Sequence, residues 1–219
     1  MHTAFSIEQM SIGALLFDLD GTLVHTIPHY KTAYLRSLRD IGSSISSEEF
    51  DTIYYDARPL SHVLEERGTG HRIDEVRKQR DALYEQALRE EVEWYPDALD
   101  FLKSLDPALP RAIVTGSWRS YVDAIEHRLP LSQYFPIIIT AEDFMPDSKP
   151  HPKGLLVAAE RLGIQPEHCA YIGDQIFDIE AAKAAGMTDV LIPREHTPQR
   201  APEMATHVIE SLMELNSLL

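Results

Sequence analysis

The stretch Ala14-Leu15-Leu16-Phe17-Asp18-Leu19-Asp20-Gly21-Thr22 decides how the rest of the chain is read. Four consecutive apolar residues followed at once by acidic and small ones describe a strand covered on both faces, because a strand with one wet face alternates. The pattern returns at Ala112-Ile113-Val114, Ile137-Ile138-Ile139, Ala170-Tyr171-Ile172 and Val190-Leu191-Ile192, with a sixth candidate at His207-Val208-Ile209. Helical segments lie between these runs. Lys153 to Leu162 has Pro152 at its entry and Gly163 at its exit, and Ile179 to Ala185 stops at Gly186, which is the start and stop chemistry of helices. Strands alternating with helices predict an α/β fold with a doubly wound, mostly parallel sheet.

The intervals between the runs are unequal. Arg111 follows Phe17 by 94 positions, whereas Ile137 follows Val114 by 23, Ala170 follows Ile139 by 31 and Val190 follows Ile172 by 18. The short intervals fit one crossover helix each, and the long one requires an insertion. That insertion reads as helical: Ile27, Tyr30, Tyr34, Leu38 and Ile41 recur every three or four positions, and Val76, Leu83, Ala87 and Leu88 resume the pattern after Gly68-Thr69-Gly70. The expected division is a core of residues 1–24 and 95–219 and a helical cap of residues 25–94, with linkers near Val24 to Thr26 and Trp94 to Pro96. Inserted helices at strand ends either add packing or cover a site, and the cover is the preferred reading.

Composition narrows the partners. The chain has 219 residues, 35 acidic against 20 basic side chains, and a net charge of −15. Nucleic acids and anionic leaflets are poor partners for such a surface, since affinity for both comes from Lys and Arg clusters. An apolar content of 44% is enough to fill a core. The single cysteine, Cys169, excludes an intrachain disulfide and reads as a small core side chain. No run approaches the length needed to span a bilayer, and Met1 to Ser11 lacks the basic start and apolar centre of an export signal. The expectation is a soluble cytoplasmic protein, a monomer by default with a homodimer as the other option.

The residues that carry chemistry gather at the carboxyl ends of the runs, where open α/β sheets place ligands. Asp18 and Asp20 share a two-residue period that turns both into the crevice, and Gly21 permits a sharp exit. Two such close carboxylates need a cation or a proton between them, and Mg²⁺ suits an all-oxygen site. A calcium loop of the EF-hand kind does not fit, because its sixth and twelfth positions would be Leu23 and His29. Thr115-Gly116-Ser117 offers a hydroxyl and an amide to an anion, or simply a helix cap. Lys149, kept extended by Pro150, reaches inward or lies on the surface. Asp174 and Asp178 follow a buried run and serve either the first carboxylates or the start of the next helix.

These four pieces together resemble the haloacid dehalogenase superfamily over nearly the whole chain. Phe17 to Val24, Val114 to Ser117, Lys149-Pro150 and Gly173 to Asp178 are similar to its four motifs, in order. The insertion resembles the cap of the subgroup that includes phosphoglycolate phosphatases and β-phosphoglucomutases. The resemblance implies a Rossmann-like core and a phosphatase acting on a small phosphorylated metabolite. Asp18 would be the nucleophile, Asp20 the general acid and base, and Thr115 and Lys149 the phosphoryl holders. It further implies Mg²⁺ on Asp18, the backbone carbonyl of Asp20, and Asp174, with Asp178 in direct or supporting contact.

The acid at position 20 favours phosphate esters over halides, whose departure needs no proton. Arg58 resembles a cap arginine by which phosphomutases hold a second phosphate, so a mutase is the alternative. His25 stands where many relatives carry Asp. His25 and His29 have helical spacing, but Pro28 interrupts the turn and no third ligand is near, so they read as edge or surface groups. Trp118 and Arg119 either touch substrate or pack. Two readings from other classes are a receiver-type signalling module and a non-catalytic binding descendant. The first requires an Asp directly after Ile139, where Thr140 stands; the second is opposed by a full set of expected catalytic side chains.

Overall fold

The computed structural model describes residues 12–56 and 58–217. The stretch Met1 to Ser11, read above for an export signal, lies outside the described residues, as does Ala57 beside Arg58. Six strands, β1 (Ala14–Phe17), β2 (Arg111–Val114), β3 (Ile137–Ile139), β4 (Cys169–Gly173), β5 (Thr188–Leu191) and β6 (His207–Val208), form one sheet. Its order is β3-β2-β1-β4-β5-β6, with every adjacent pair parallel. This is the expected doubly wound α/β sheet. Sequence direction reverses at β1, and the crevice beside that reversal is where such sheets take ligands.

Alternation within the apolar runs builds two cores, one on each face. Leu15 and Phe17 face one side, packed with Ile113, Phe101 and Phe135, while Ala14 and Leu16 face the other with Val114, Leu155 and Tyr171. The helices follow in chain order. α1 (Ile27–Asp40), α2 (Ser47–Tyr55), α3 (Leu60–Glu66) and α4 (Ile73–Glu90) all lie in the interval after β1. α5 (Pro96–Ser104) leads into β2, and α6 (Arg119–Arg128) and α7 (Leu131–Tyr134) connect β2 to β3. α8 (Ala141–Phe144) and α9 (Lys153–Leu162) lead to β4, α10 (Ile176–Ala185) to β5 and α11 (Ala201–Met204) to β6.

The long interval is helical, as its periodicity requires. Tyr34, Leu38, Phe50, Leu64 and Val76 form a separate apolar cluster inside it. Its two ends run side by side: Val24 bridges Trp94 in antiparallel fashion, His25 N–H donates to Glu93 O at 2.9 Å, and Tyr95 N–H donates to Leu23 O at 3.0 Å. α4 packs against α1 and also against α6, and Tyr84 and Leu88 of α4 enter the same cluster as Phe17 and Tyr121.

α9 has the predicted bounds, with Gly163 closing it at φ +70°. α10 starts at Ile176, three residues ahead of the expected Ile179, because Gln175 and Asp178 make a reciprocal capping box that the usual cap residues do not announce. β5 begins at Thr188 although Thr188 and Asp189 are polar; Asp189 is buried and accepts from Thr206 N and Oγ1, both at 2.6 Å. Among the described residues no helix is long and apolar enough to cross a membrane.

Candidate active site

β1 ends at Phe17, and the next residue, Asp18, is buried at the sheet's carboxyl edge. The chain then turns back through Gly21 at φ +83°, a left-handed conformation that only glycine adopts without strain. A β-carbon there would also stand 3.0 Å from Asp174 Oδ2. The turn delivers Thr22 to Asp174, its Oγ1 donating to Oδ1 at 2.9 Å.

Asp18, Asp174 and Asp178 bring one carboxylate oxygen each within 4.8 Å of one another, all three buried. Lys149 faces them, donating to Asp18 Oδ1 at 2.6 Å, to Asp178 Oδ1 at 2.6 Å and to Tyr171 Oη at 2.9 Å, so all three ammonium protons are used. Burial, followed by Asp178, Asp174 and Asp20, pushes the Asp18 carboxyl well above the ordinary carboxylate range, against the pull of Lys149. Asp174 is raised to about 7 by burial and by Asp178. Burial alone would lower the Lys149 ammonium, but Asp178 and Asp18 carry it well above its usual value.

One ammonium against three buried carboxylates leaves negative charge without a partner. An all-oxygen donor set at such spacing fits a hard divalent cation. The side chain of Asp20 stands apart from that cluster: its Oδ2 accepts from Thr115 Oγ1 at 2.9 Å and Ser117 Oγ at 2.8 Å, and its Oδ1 from Tyr84 Oη at 3.3 Å. Any metal contact from Asp20 is therefore left to its backbone carbonyl.

Asp18, Asp20 and Lys149 open onto a cavity of about 410 Å³, lined also by Thr115, Gly116, Ser117 and Arg58, whereas Asp174 and Asp178 are not among its lining residues. Arg58 is held there by a two-pronged bond to Glu66 at 2.6 and 2.7 Å. Gly116 has open space where a side chain would sit, but it lies before Trp118, the cap of α6, so its amide belongs to the loop and not to the helix's first turn. Trp118 lines the cavity, whereas Arg119 turns away to Ile138 O and Asp143. His25 pairs with Glu195 at 3.5 Å and His29 with Glu91 at 3.8 Å, and neither lines the cavity. Cys169 is a buried free thiol packed in the core that holds Leu16, Leu155 and Tyr171, as expected.

Tyr171 is a mid-strand core residue by pattern and carries no signal in the sequence, yet its hydroxyl donates to Val114 O at 2.9 Å and accepts from Lys149. Tyr84 is equally silent, since it meets Asp20 only through tertiary contact.

Comparison with known proteins agrees with this geometry. The haloacid dehalogenase-like hydrolase family matches residues 15–192. The chain belongs to that family. It is 30% identical over 203 aligned positions to the phosphoglycolate phosphatase of Escherichia coli strain K12, covering 82% of this chain and 80% of the relative. CbbY from Rhodobacter sphaeroides, solved with phosphate, superposes with a TM-score of 0.78 at 22% identity, covering 93% of this chain and 96% of that one. β-Phosphoglucomutase from Clostridium difficile gives a TM-score of 0.76 at 20% identity and 93% coverage of each chain. These two share the fold, and the family assignment makes the protein an enzyme of the hydrolase class.

Proposed function

We propose that this haloacid dehalogenase-like hydrolase is a Mg²⁺-dependent phosphatase that hydrolyses a small phosphorylated metabolite through an aspartyl phosphate on Asp18. The observation that carries the reading is Asp18 itself, a buried carboxylate at the end of the central strand, held at 2.6 Å by Lys149 and open to the cavity. Asp18 attacks phosphorus in line, the ester P–O bond breaks, and Asp20 gives its proton to the departing alcohol oxygen. Asp20 then takes a proton from the water that attacks the aspartyl phosphate, releasing phosphate and restoring the Asp18 carboxylate. Because Thr115 and Ser117 both donate to Asp20 Oδ2, the proton is carried by Oδ1, whose one contact is the longer bond from Tyr84 Oη at 3.3 Å.

Thr115 and Lys149, with Gly116 and Ser117, hold the phosphoryl group. Any contact from Arg58 to substrate comes in exchange for Glu66. Asp18, Asp174 and Asp178, with the carbonyl of Asp20, would hold Mg²⁺, which when bound supplies a hard Lewis acid for the phosphoryl oxygens. Residues 25–94 act as a cap over a core of residues 1–24 and 95–219, a division supported by the paired linkers at Val24 and Trp94. The protein works in the cytoplasm as a monomer.

The test is phosphate release from p-nitrophenyl phosphate with Mg²⁺, with a chelator, and in Asp18→Asn. Release that needs the metal and vanishes in the variant is expected; no release from any phosphate ester overturns the reading. Conversion of β-glucose 1-phosphate to its 6-phosphate without net phosphate release would replace it with a phosphomutase.

A further inference from the structure

Beyond its carboxylates the cavity is walled by aromatic rings. Tyr84, whose hydroxyl reaches Asp20, meets Tyr30 edge-on with ring centroids 5.2 Å apart, and Tyr30 meets Tyr34 at 6.0 Å. Tyr34 meets Phe50 edge-on at 5.3 Å, and Phe50 stacks on Tyr54 at 5.9 Å with 18° between planes. All five rings line the cavity. Tyr54 closes the array back toward the acidic cluster, whose carboxylates together with burial push its hydroxyl well above the ordinary tyrosine value.

The cations on the same wall are already committed. Arg80 donates through Nε and NH2 to Asp81, Arg58 is bound by Glu66 and Lys149 by Asp18 and Asp178. A leaving group carrying its own carboxylate would enter beside Asp18 and Asp20 and would have to draw an arginine from its partner. A neutral ring meets edges and faces at stacking distance without breaking any ion pair.

We propose that the substrate is a phosphomonoester whose alcohol carries a neutral planar ring, and not a small carboxylate such as glycolate. The proposal rests on the phosphatase reading for its reaction and on the cavity wall for its selectivity. Benzyl phosphate, ethyl phosphate and 2-phosphoglycolate share a primary alkyl leaving oxygen, so their kcat/KM values compare the pocket and not the bond. Benzyl phosphate is expected to lead both others by at least about tenfold, the scale of one or two aromatic contacts. A smaller lead, or 2-phosphoglycolate ahead, overturns the proposal while leaving the phosphatase reading intact.

If none of the three is hydrolysed, the phosphatase reading is decided separately, by release from p-nitrophenyl phosphate. The ring proposal is then decided by calorimetric titration of the intact protein with benzylphosphonate against phosphonoacetate, with the same tenfold criterion.

Discussion

At Gly173 the site and the fold make the same demand on one residue. A β-carbon there would lie 2.4 Å from Asp178 Cγ and 2.5 Å from its Oδ2. Asp178 cannot retreat freely, because it caps α10 through Gln175 N and holds Lys149 at 2.6 Å. Gly173→Ala is expected to cost about 1–3 kcal/mol of stability by overpacking, and to cut phosphate release by more than about tenfold by moving Lys149 off Asp18. Gly154→Ala is the control: its β-carbon would meet Phe144 at 2.9 Å, away from the carboxylates. A similar fall in melting temperature without the kinetic loss is expected there. If the two variants lose activity equally, Gly173 serves packing alone. Thr22→Val removes the donor to Asp174 Oδ1 and should raise the Mg²⁺ concentration for half-maximal activity about tenfold, read from a metal titration at fixed substrate.

Among the elements, α4 ties the insertion to the sheet domain. Its Tyr84 reaches Asp20 and its Leu88, fully buried, joins the apolar cluster that holds Phe17 and Tyr121. The insertion and the sheet therefore share packing, and Leu88→Ala is expected to lower stability by about 2–5 kcal/mol. The loss should appear as one shifted thermal transition; two separated transitions would mean that the insertion melts alone. The same elements show what was legible beforehand. β1, β2 and β4 announced themselves because both of their faces are buried, and α9 because Pro152 and Gly163 frame it. The start of β5 did not, since Asp189, paired with Tyr171 of β4, is tolerated in a buried strand because Thr206, 17 positions away, satisfies its carboxylate. Asp18, Asp20, Lys149 and Asp174 were legible as carboxylates and an amine at strand ends. Tyr171, Tyr84 and the ring array were not, because pattern marks a buried tyrosine as core and cannot say where its hydroxyl points.

Over the whole molecule, the net charge of −15 and the three buried carboxylates set one problem twice: an acidic protein must hold an anion at its most acidic point. Bulk potential opposes that binding, so local groups must reverse it. In the metal-free protein, burial and Asp178 raise Asp174 to about 7, above its ordinary value. The sign follows from linkage: the folded state favours the protonated carboxyl, so this contribution to stability is complete below the unfolded value and is lost as pH rises through about 7. Above that range the folded protein carries uncompensated buried charge, which a divalent cation neutralises. Mg²⁺ is therefore expected to raise the melting temperature over a chelator-treated sample by more at about pH 8 than at about pH 5.5. Asp174→Asn, which abolishes the titrating group, should shrink that difference between the two pH values. Equal stabilisation at both, in the native chain, would place the cation somewhere other than among Asp18, Asp174 and Asp178.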